Sequence, residues 1–591
     1  MLKLPPPRST ENKSAAAQAG EMSKLLVKYP YLAKYLTQVS KSLGSPEYLG
    51  QDISSLLKKA VKINALYQVD EGVFIHIYTP PLGSSSGFRK YVIIEPSRPP
   101  QELVKLVEEK IASVLTEKDR AESISERRNI LLRALQRVVE LTNTPVNYST
   151  LLPKVSKLNR IPVYSGDFNN LLYHLNRDKV GLGILDPLLK DRYIEDIYCN
   201  GVGYVYIVHK VFGPLETNIY FPTEEDLSRF VLELSEKIGK PVSHARPIVD
   251  ATLPDGSRIN IVFGSDVSLK GSSFTIRKFS KVPMSVIDLV NLGTMDEYVA
   301  AYLWMLLLEG MSGFISGETA SGKTTTLNAI VAFIRPVAKI VSIEDTAEIQ
   351  VPHENWLREL TRDTGSIETS VTLFDLLKAA LRQRPNYIIV GEIRGAEGNV
   401  AFQAMQTGHP VLSTFHAASV ERLVQRLTST PINVPKTHLD NLNFVLIQSA
   451  VYREGIMLRR VISVNELVGY DPRSDTTIYI PIYTWDPVKD RFTFRGRGTS
   501  YLLEEKVATV RGISRRNMSI IYDELGLRAK ILRELAAKKV TNYYDVFKVI
   551  TRIYSLIDSK AKASSKEDTP YVVVEALEEC LLKLKSGELL K

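Results

Sequence analysis

One eight-residue segment limits the folds open to this chain more than any other feature of its sequence. Residues 317–324 read Gly-Glu-Thr-Ala-Ser-Gly-Lys-Thr and match the pattern G-x-x-x-x-G-K-[ST] at every fixed position. The apolar residues 313–316 precede the segment, and residues 325–333 follow it with helical character. The pattern predicts a strand, a glycine-rich loop and a helix in succession, which is an arrangement that binds nucleotide phosphates.

The predicted loop supplies the groups that a nucleoside triphosphate needs. Glycines let successive backbone N–H groups converge on phosphate oxygens, and the helix N-terminus adds the positive end of its dipole. Lys323 is predicted to reach the β- and γ-phosphates, and the Thr324 hydroxyl to ligate Mg²⁺. We therefore predict ATP and Mg²⁺ as cofactors, with the nucleotide bound by Gly317, Glu318, Thr319, Ala320, Ser321, Gly322, Lys323, Thr324 and Thr325.

Two acidic residues follow apolar runs downstream of the loop. The run Lys339–Ile343 is followed by Glu344, and the run Tyr387–Val390 is followed by Gly391 and Glu392. Because the carboxyl ends of parallel strands face the same crevice, we expect both carboxylates near the γ-phosphate. One of them would activate water and the other would hold the metal, directly or through its waters. The residues alone do not assign the two roles.

A third predicted strand, residues 410–414, brings two more polar side chains to this edge of the sheet. Thr414 ends the strand and His416 follows it, so both would lie where they can sense the γ-phosphate. A histidine without further context is more often structural, so a structural role for His416 stays open at this point.

Four segments, in this order, resemble the motifs of the secretion and pilus-assembly ATPase superfamily. This family includes the ATPases of type II secretion, type IV pili, archaella and type IV secretion. Residues 317–324 are similar to its Walker A motif, 343–348 to its Asp box, 388–394 to its Walker B motif and 408–417 to its His box. The similarity covers about residues 181–479, extends more weakly to about residue 556, and is greatest to the archaeal branch.

The resemblance implies a role for each residue of these motifs. Glu344 corresponds to the catalytic carboxylate, and Glu392 to the Walker B glutamate, which also serves the metal. His416 and His409 correspond to the two His-box histidines. Asn386 departs from the pattern, because many relatives have Asp before the Walker B strand. The tetracysteine zinc element of many bacterial type II secretion ATPases is also missing, which again favours the archaeal branch.

In this family an N-terminal domain lends arginines to the nucleotide that the RecA-like domain holds. The resemblance implies that Arg258 and Arg277 have this catalytic role here. A guanidinium at the γ-phosphate would neutralise the charge that develops in the transition state. The alternative for each residue is a surface salt bridge. Two less favoured candidates for the same role are Arg394 and Arg362.

The fold class follows from the succession of elements and from the resemblance. We predict an α/β fold in which a RecA-like P-loop ATPase domain is preceded by an α+β N-terminal domain, with an extra N-terminal module and a C-terminal helical extension. The predicted segments are a partly disordered 1–60, an accessory α/β module 61–160, the α+β domain 161–282, the RecA-like domain 283–480 and the extension 481–591.

Local patterns predict several elements outside the motifs. Residues 72–78 and 90–95 are predicted strands joined by an exposed loop. Apolar residues at helical spacing from 104 to 114 predict a helix, and a second helix is predicted over 126–141. A helical stretch is predicted over 515–556.

Composition restricts the class of protein. Hydrophobic residues make up 44% and charged residues 24% of the 591 residues, which is typical of globular chains. The two cysteines, Cys199 and Cys580, form no CxxC pair, so a disulfide framework and a thiolate zinc site are unsupported. The most apolar segment, residues 301–308, is much shorter than the ~20 residues of a membrane span. We therefore expect a cytoplasmic protein that contacts the inner face of the cell membrane peripherally.

The resemblance implies a homohexamer that hydrolyses ATP to power pilus or filament assembly, or protein secretion, through a polytopic membrane platform protein. Pilin-like or secreted substrates would be served indirectly. The net charge of +9 suits an acidic membrane surface. A nucleic-acid-translocating ATPase for conjugation or DNA uptake is the alternative, although no run of Lys and Arg with interleaved aromatic residues supports nucleic acid as a partner. A catalytically silent nucleotide-binding scaffold is a third interpretation, and the acidic residues and histidines argue against it.

Overall fold

The computed structural model describes residues 21–50, 63–81, 87–116, 119, 121, 123–153, 158–279, 282–362, 366, 368–453, 456–562 and 569–590. Residues 1–20 and 51–60 of the segment predicted to be partly disordered, and residues 82–86 of the predicted loop, lie outside these ranges. The chain forms two compact units, Met1–Ser280 and Lys281–Lys591.

The first unit is built on a sheet that has ten strands in the described part of the chain, in the order β1-β2-β3-β4-β9-β8-β7-β12-β11-β10, while β5 and β6 form a separate pair. The strands are β1 (Glu47–Tyr48), β2 (Asn64–Asp70), β3 (Val73–Tyr78), β4 (Arg89–Ile94), β5 (Val139–Thr142), β6 (Ile161–Tyr164), β7 (Ile194–Cys199), β8 (Gly203–His209), β9 (Gly213–Phe221), β10 (Ile248–Thr252), β11 (Arg258–Val262) and β12 (Ser273–Arg277).

The predicted segments 61–160 and 161–282 share this sheet. Strand β4 pairs in parallel with β9, with Lys90 opposite Glu216. A buried carboxylate lies beneath this junction, because the Asp191 Oδ2 atom accepts hydrogen bonds from the Tyr67 hydroxyl at 2.6 Å and the Tyr91 hydroxyl at 2.7 Å. The accessory strands and the α+β domain are therefore joined by backbone pairing and by a buried polar cluster.

Helices cover this sheet and form a second small core. They are α1 (21–28), α2 (Pro30–Leu43), α3 (Gln101–Val114), α4 (Ile124–Val138), α5 (Ser165–Leu175), α6 (Asp186–Lys190) and α7 (Glu224–Lys237). The predicted strand pair over 72–78 and 90–95 is confirmed as β3 and β4, which pair antiparallel, and the predicted helix ending at residue 114 is confirmed as α3.

The helix predicted over 126–141 is correct in type and wrong at its C-terminal end. It begins after Ser123, whose hydroxyl accepts from the Glu126 N–H while the Glu126 carboxylate accepts from the Ser123 N–H. The helix ends at Val138 because residues 139–142 pair in parallel with β6. Strand pairing outweighs the local helical pattern here.

The second unit contains the predicted parallel α/β sheet. Its strand order is β15-β14-β16-β17-β13-β18-β19-β20-β21, parallel from β15 to β18 and antiparallel beyond. The strands are β13 (Gly313–Gly317), β14 (Ile340–Glu344), β15 (Trp356–Leu360), β16 (Tyr387–Glu392), β17 (Val411–Phe415), β18 (Phe444–Arg453), β19 (Ile456–Asp471), β20 (Thr476–Asp486) and β21 (Arg491–Phe494). The predicted boundary at residue 480 falls inside β20, because the sheet continues past it.

Helices cover both faces of this sheet. They are α8 (Val286–Asn291), α9 (Glu297–Leu308), α10 (Lys323–Val331), α11 (Leu373–Leu381), α12 (Glu397–Gln406), α13 (Val420–Thr428), α14 (Ala508–Val510), α15 (Ser519–Ala537), α16 (Tyr543–Lys562) and α17 (Thr569–Ser586). Successive strand residues belong to different cores: Ile315 packs with α8–α10 and α15–α17, and Phe314 packs with α11–α13. The predicted helical stretch 515–556 is confirmed as α15 and α16 with a break between them. The predicted fold class, a RecA-like α/β domain preceded by an α+β domain, is confirmed.

The most apolar segment of the sequence is the buried helix α9. Trp304 is 0% exposed and stacks on Phe333, with ring centroids 5.1 Å apart. Its indole N–H donates to the Tyr554 hydroxyl at 2.8 Å, so the polar group of the ring is also satisfied. Burial of each such large side chain contributes about 1.5–3 kcal/mol to stability. Across the described residues, no helix is both long enough and apolar enough to cross a membrane.

Candidate functional site

The predicted phosphate loop connects β13 to α10, as the sequence pattern requires. All five residues of β13 are buried, and α10 begins at Lys323. Gly322 precedes the helix with φ +92°, a left-handed conformation that glycine adopts without a steric cost. Gly317 has no room for a side chain, because a Cβ there would lie 2.1 Å from the Gln448 carbonyl oxygen. The predicted strand, loop and helix are therefore confirmed.

Lys323 places its ammonium group against the loop. The residue is 8% exposed, and its Nζ atom donates to the Gly317 carbonyl at 3.1 Å and the Glu318 carbonyl at 2.9 Å. The Ser321 hydroxyl also donates to the Glu318 carbonyl, at 2.8 Å. Thr324 and Thr325, in the first turn of α10, are half-buried. A cation, helix N–H groups and hydroxyls thus converge at one loop, which suits a phosphate chain.

Glu344 ends β14 and is held by several donors. Its side chain is 1% exposed, and Oε2 accepts hydrogen bonds from the Glu348 and Ile349 N–H groups, each at 2.6 Å. The Arg358 Nε donates to Oε1 at 3.1 Å. Burial raises the pKa of Glu344 above its usual value, and these backbone N–H groups and the Arg358 charge oppose that rise. The carboxylate is therefore fixed in position and more basic than a solvent-exposed glutamate.

Glu392 and His416 form a pair at the ends of adjacent parallel strands. The His416 Nε2 atom lies 3.2 Å from one oxygen of Glu392, and the Arg394 Nη2 lies 2.5 Å from the other. Burial lowers the pKa of His416, and the nearby charge of Lys323 lowers it further, whereas Glu392 raises it. The imidazole therefore favours its neutral form, and it lies within electrostatic reach of the phosphate-loop lysine.

The two predicted carboxylates lie on neighbouring strands. Strand β14 pairs with β16, and a Cβ placed on Gly391 would lie 3.3 Å from the Glu344 Cγ. The Thr414 hydroxyl donates to the Gly391 carbonyl at 2.7 Å. The structure thus brings Glu344, Glu392 and Thr414 to one edge of the sheet, as the sequence predicts.

His409 lies at the opposite end of the same strand. It precedes β17, whereas His416 follows it, and a five-residue strand spans about 17 Å. The His409 Nδ1 atom is 3.1 Å from the Thr407 hydroxyl, in the turn after α12. Of the two histidines that the resemblance implies, only His416 is close to the phosphate loop.

The four candidate arginines occupy different places. Arg394 pairs with Glu392, and Arg362 donates to the Thr369 carbonyl at 3.2 Å. Arg258 and Arg277 lie in the first unit, directly opposite each other on β11 and β12. Each arginine is next in sequence to a buried isoleucine. Because successive strand residues face opposite sides of a sheet, both arginines lie on its outer face. The structure brings these two arginines together on one surface.

Mg²⁺ would depend on the nucleotide for part of its coordination. In the described residues no group of three His, Cys, Asp or Glu side chains is placed to hold a metal ion. Mg²⁺ is commonly held by one or two protein oxygens together with phosphates and water. Thr324 at the start of α10 and Glu392 at the end of β16 supply an incomplete set of this kind. These residues fit a metal ion that arrives with ATP.

A family model and several known proteins match this chain. The family model described as type II/IV secretion system protein matches residues 178–461. An uncharacterized protein of the archaeon Methanocaldococcus jannaschii is 46% identical over 540 residues, covering 90% of this chain and 97% of the relative. The chain belongs to the type II/IV secretion ATPase family. The matched residues 178–461 cover most of residues 181–479, over which the sequence resembles this family. The archaeal source of the relative agrees with the predicted similarity to the archaeal branch.

Other relatives match a smaller part of this chain. The conjugal transfer protein TrbB of Rhizobium radiobacter is 32% identical over 249 residues, 41% of this chain and 74% of TrbB. The VirB11 ATPase of the Brucella suis type IV secretion system, solved with sulphate, is 24% identical over 51% of this chain and 95% of its own, with a TM-score of 0.25. The pilus retraction motor PilT, solved with bound ADP, is 19% identical over 47% of this chain and 80% of its own, with a TM-score of 0.35. Since both scores are below 0.5, the fold assignment depends on the strand order above.

Three residues of this chain contact the site from outside the predicted motifs. Arg358 binds Glu344, Gln448 accepts from the Thr326 hydroxyl at 2.8 Å, and Arg459 donates to the Ala320 carbonyl at 3.0 Å. Gln448 interrupts the apolar run 444–447, and this interruption is a signal that could have identified it. Neither arginine has a local signal, because each side chain reaches the site across a strand pairing.

Proposed function

We propose that this chain hydrolyses ATP to ADP and phosphate and uses the energy as a motor. The observation that carries this proposal is the grouping of Lys323, Glu392 and His416. They lie at the phosphate loop and at the ends of two adjacent parallel strands, with the imidazole 3.2 Å from the carboxylate. A phosphate-binding lysine, a carboxylate and a neutral imidazole together can bind a γ-phosphate and respond to its removal.

The loop residues 317–325 would hold the phosphate chain, with Lys323 at the β- and γ-phosphates. Bound Mg²⁺ would neutralise phosphate charge, held by the Thr324 hydroxyl and, directly or through water, by Glu392. Glu344 would act as the general base, because Oε1 has a second lone pair beyond the Arg358 contact. It would take a proton from water as the water oxygen forms a bond to the γ-phosphorus. The bond between the γ-phosphorus and the β–γ bridging oxygen would break, and ADP would leave with that oxygen.

Arg258 and Arg277 would complete the site from the α+β domain in a homohexamer. Their shared outward face supports this role, since two guanidinium groups on one surface can meet the same phosphate. They would neutralise charge that develops on the γ-phosphate oxygens. Arg394, which is held by Glu392, would respond to movement of that carboxylate.

The work performed would be assembly of a pilus-like filament or secretion of proteins through a polytopic membrane platform. Membership of the type II/IV secretion ATPase family supports this proposal. The chain would be cytoplasmic and would dock peripherally at the inner face of the cell membrane, where its net charge of +9 suits acidic lipids. Pilin-like or secreted substrates would be moved indirectly.

A nucleic-acid-translocating ATPase is the second candidate, and the conjugal transfer relative favours it. It predicts that single-stranded DNA binds the protein at low salt and stimulates ATP hydrolysis, with both effects falling steeply as salt increases. Absence of both effects at low salt would remove this candidate and leave the secretion motor.

Phosphate release by the purified chain tests the proposed activity. We expect Lys323→Ala and Glu344→Gln to lower kcat by at least about 100-fold, since each removes a group that acts on the reacting phosphate or water. Lys489→Ala is the matched control, because Lys489 is exposed in the turn between β20 and β21. Wild-type turnover in both site variants would overturn the proposal. The particle mass with a non-hydrolysable ATP analogue would test the hexamer.

A further inference from the structure

Strands β18 and β19 form a hairpin that contacts the phosphate loop from outside the motif. Gln448 on β18 is the pairing partner of Gly317, the last residue of β13. A Cβ on Gly322 would lie 3.0 Å from the Gln448 Nε2 and 3.0 Å from the Arg459 Cδ. Two hairpin side chains therefore pack directly against the loop that is proposed to bind ATP.

Ala320 occupies an unfavourable backbone conformation within this loop. Its φ is +62°, in the left-handed region that residues with a Cβ adopt at a cost and glycine adopts freely. The Arg459 Nε donates to the Ala320 carbonyl at 3.0 Å. A hydrogen bond from a charged donor is stronger than one between neutral groups, so this contact can offset the conformational cost.

The Ala320 carbonyl controls the direction of a neighbouring donor. The peptide group between Ala320 and Ser321 is planar and trans, so its carbonyl and its N–H point in opposite directions. Holding the carbonyl toward Arg459 therefore turns the Ser321 N–H to the other side, toward the inside of the loop. The N–H is 3.4 Å from the Glu318 carbonyl oxygen, a long bond that a phosphate oxygen could replace.

The neighbouring arginine on β19 has a different function. Arg460 points to the opposite side of the strand, is 5% exposed, and binds both Asp490 oxygens, at 2.9 and 3.0 Å. It also donates to the Leu292 carbonyl at 3.1 Å. Arg460 thus ties β19 to Asp490 and Leu292 within the unit, whereas Arg459 donates a hydrogen bond to the phosphate loop. The contact with Ala320 is specific to Arg459.

We propose that Arg459 is a positioning residue for ATP: by holding the Ala320 carbonyl, it keeps the phosphate loop in the conformation that presents the Ser321 N–H to phosphate. This inference rests on the proposed function. It predicts that Arg459 acts on nucleotide affinity through Ala320, and acts much less on the chemical step, because it does not contact the reacting atoms.

The test measures binding of a fluorescent ATP analogue with Mg²⁺ and steady-state ATP hydrolysis by the full chain. Arg459→Gln is expected to raise Kd and KM about tenfold, with a much smaller change in kcat, from the loss of one charge-assisted hydrogen bond. Arg459→Lys, which keeps a cation without the guanidinium geometry, is expected to give an intermediate Kd. Arg491→Gln is the matched control, because Arg491 is exposed on β21 of the same sheet and carries the same charge.

The double variant Ala320→Gly, Arg459→Gln gives the decisive readout. Glycine adopts positive φ without cost, so we expect the double variant to recover most of the affinity lost in Arg459→Gln. Wild-type Kd in both Arg459 variants, or no recovery in the double variant, would overturn the inference. A loss confined to kcat would also overturn it, since that pattern indicates general damage. Failure of the wild-type chain to bind ATP would instead reject the proposed function. That result differs from the outcomes above, all of which concern the variants and require a wild type that binds ATP.

Discussion

The Arg358 guanidinium lies 3.1 Å from the Glu344 carboxylate, and the carboxylate side chain is only 1% exposed. Burial favours the protonated form of Glu344, while two backbone N–H groups and the arginine favour the ionised form. The balance leaves the pKa raised, which makes the carboxylate a better proton acceptor. Arg358 therefore limits how far burial raises the pKa of the proposed general base.

Removal of Arg358 should shift the acid limb of the pH–rate profile. Arg358→Gln deletes a charge that lowers the pKa of Glu344, so this pKa rises further and the carboxylate protonates at higher pH. The acid limb of kcat should then move to higher pH than in the wild type. ATPase assays across pH check this, with Arg422→Gln, an exposed position on α13, as the control. An unmoved limb, or one moved to lower pH, would contradict the role given to Arg358.

The pKa of His416 should lie below the usual histidine value of 6.5. Burial and the charge of Lys323 lower this pKa, and the negative charge of Glu392 raises it. Glu392→Gln removes the raising influence, so the pKa should fall further in that variant. NMR titration of labelled histidine, assigned with His416→Gln, measures both values. An upward shift in Glu392→Gln would show that the observed pair does not form in solution.

The two histidines of the predicted His box should differ in their effect on turnover. His416→Ala removes the imidazole that contacts Glu392, and we expect kcat to fall about 100-fold. His409→Ala should lose far less, because His409 lies at the other end of β17 and contacts Thr407. Parallel ATPase assays on the two variants compare one substitution at two ends of a single strand. Equal losses would contradict the placement of the site.

A buried charge cluster should control the stability of the second unit. Glu524 contacts Arg511 and Arg528, and Arg528 is 0% exposed. Burial alone would raise the pKa of Glu524, but the two arginines outweigh burial and lower it. The stabilisation is therefore present above the usual glutamate value of 4.5 and is lost as pH falls below it.

Glu524→Gln should destabilise the second unit by about 3–5 kcal/mol at neutral pH, because it removes the carboxylate that pairs with the fully buried Arg528, while Arg511 keeps its pairing with Glu309. Urea unfolding at pH 7 measures the loss. Glu505→Gln is the control, since Glu505 is 58% exposed and pairs with an arginine that is 90% exposed. A similar loss in both variants would indicate that burial of the cluster is not the cause.

Short-range patterns predict the strand, loop and helix of the candidate site, and the structure confirms these three elements. The strand, loop and helix over 313–331 depend on glycine positions and on local apolar periodicity, which are visible in sequence. The sequence also predicts that Glu344 and Glu392 lie near one another, because the ends of parallel strands share an edge. Their roles remain predictions, as do those of the candidate arginines.

Relationships that depend on long-range pairing were not predictable in the same way. Arg358 reaches Glu344 only because β14 and β15 pair in parallel. Arg459 reaches Ala320 through an antiparallel pairing whose register shifts between Ile447 and Gln448. A one-residue change of register reverses which side chains face the loop, and no local pattern records that shift. The end of α4 at Val138 also depends on a long-range pairing. Residues 139–142 pair with β6, which lies about 20 residues further along the chain and is not part of the local pattern that predicts a longer helix.

The parallel pairing of β4 with β9 limits how this chain can be shortened. Removal of the first 94 residues would turn β9 into an edge strand with unpaired N–H and carbonyl groups, which invites association between molecules. It would also take both tyrosine hydroxyls away from the Asp191 carboxylate, which is costly in a buried position. A protein of this family without that segment would need another way to close the edge of β9, and a residue other than aspartate at the position of Asp191.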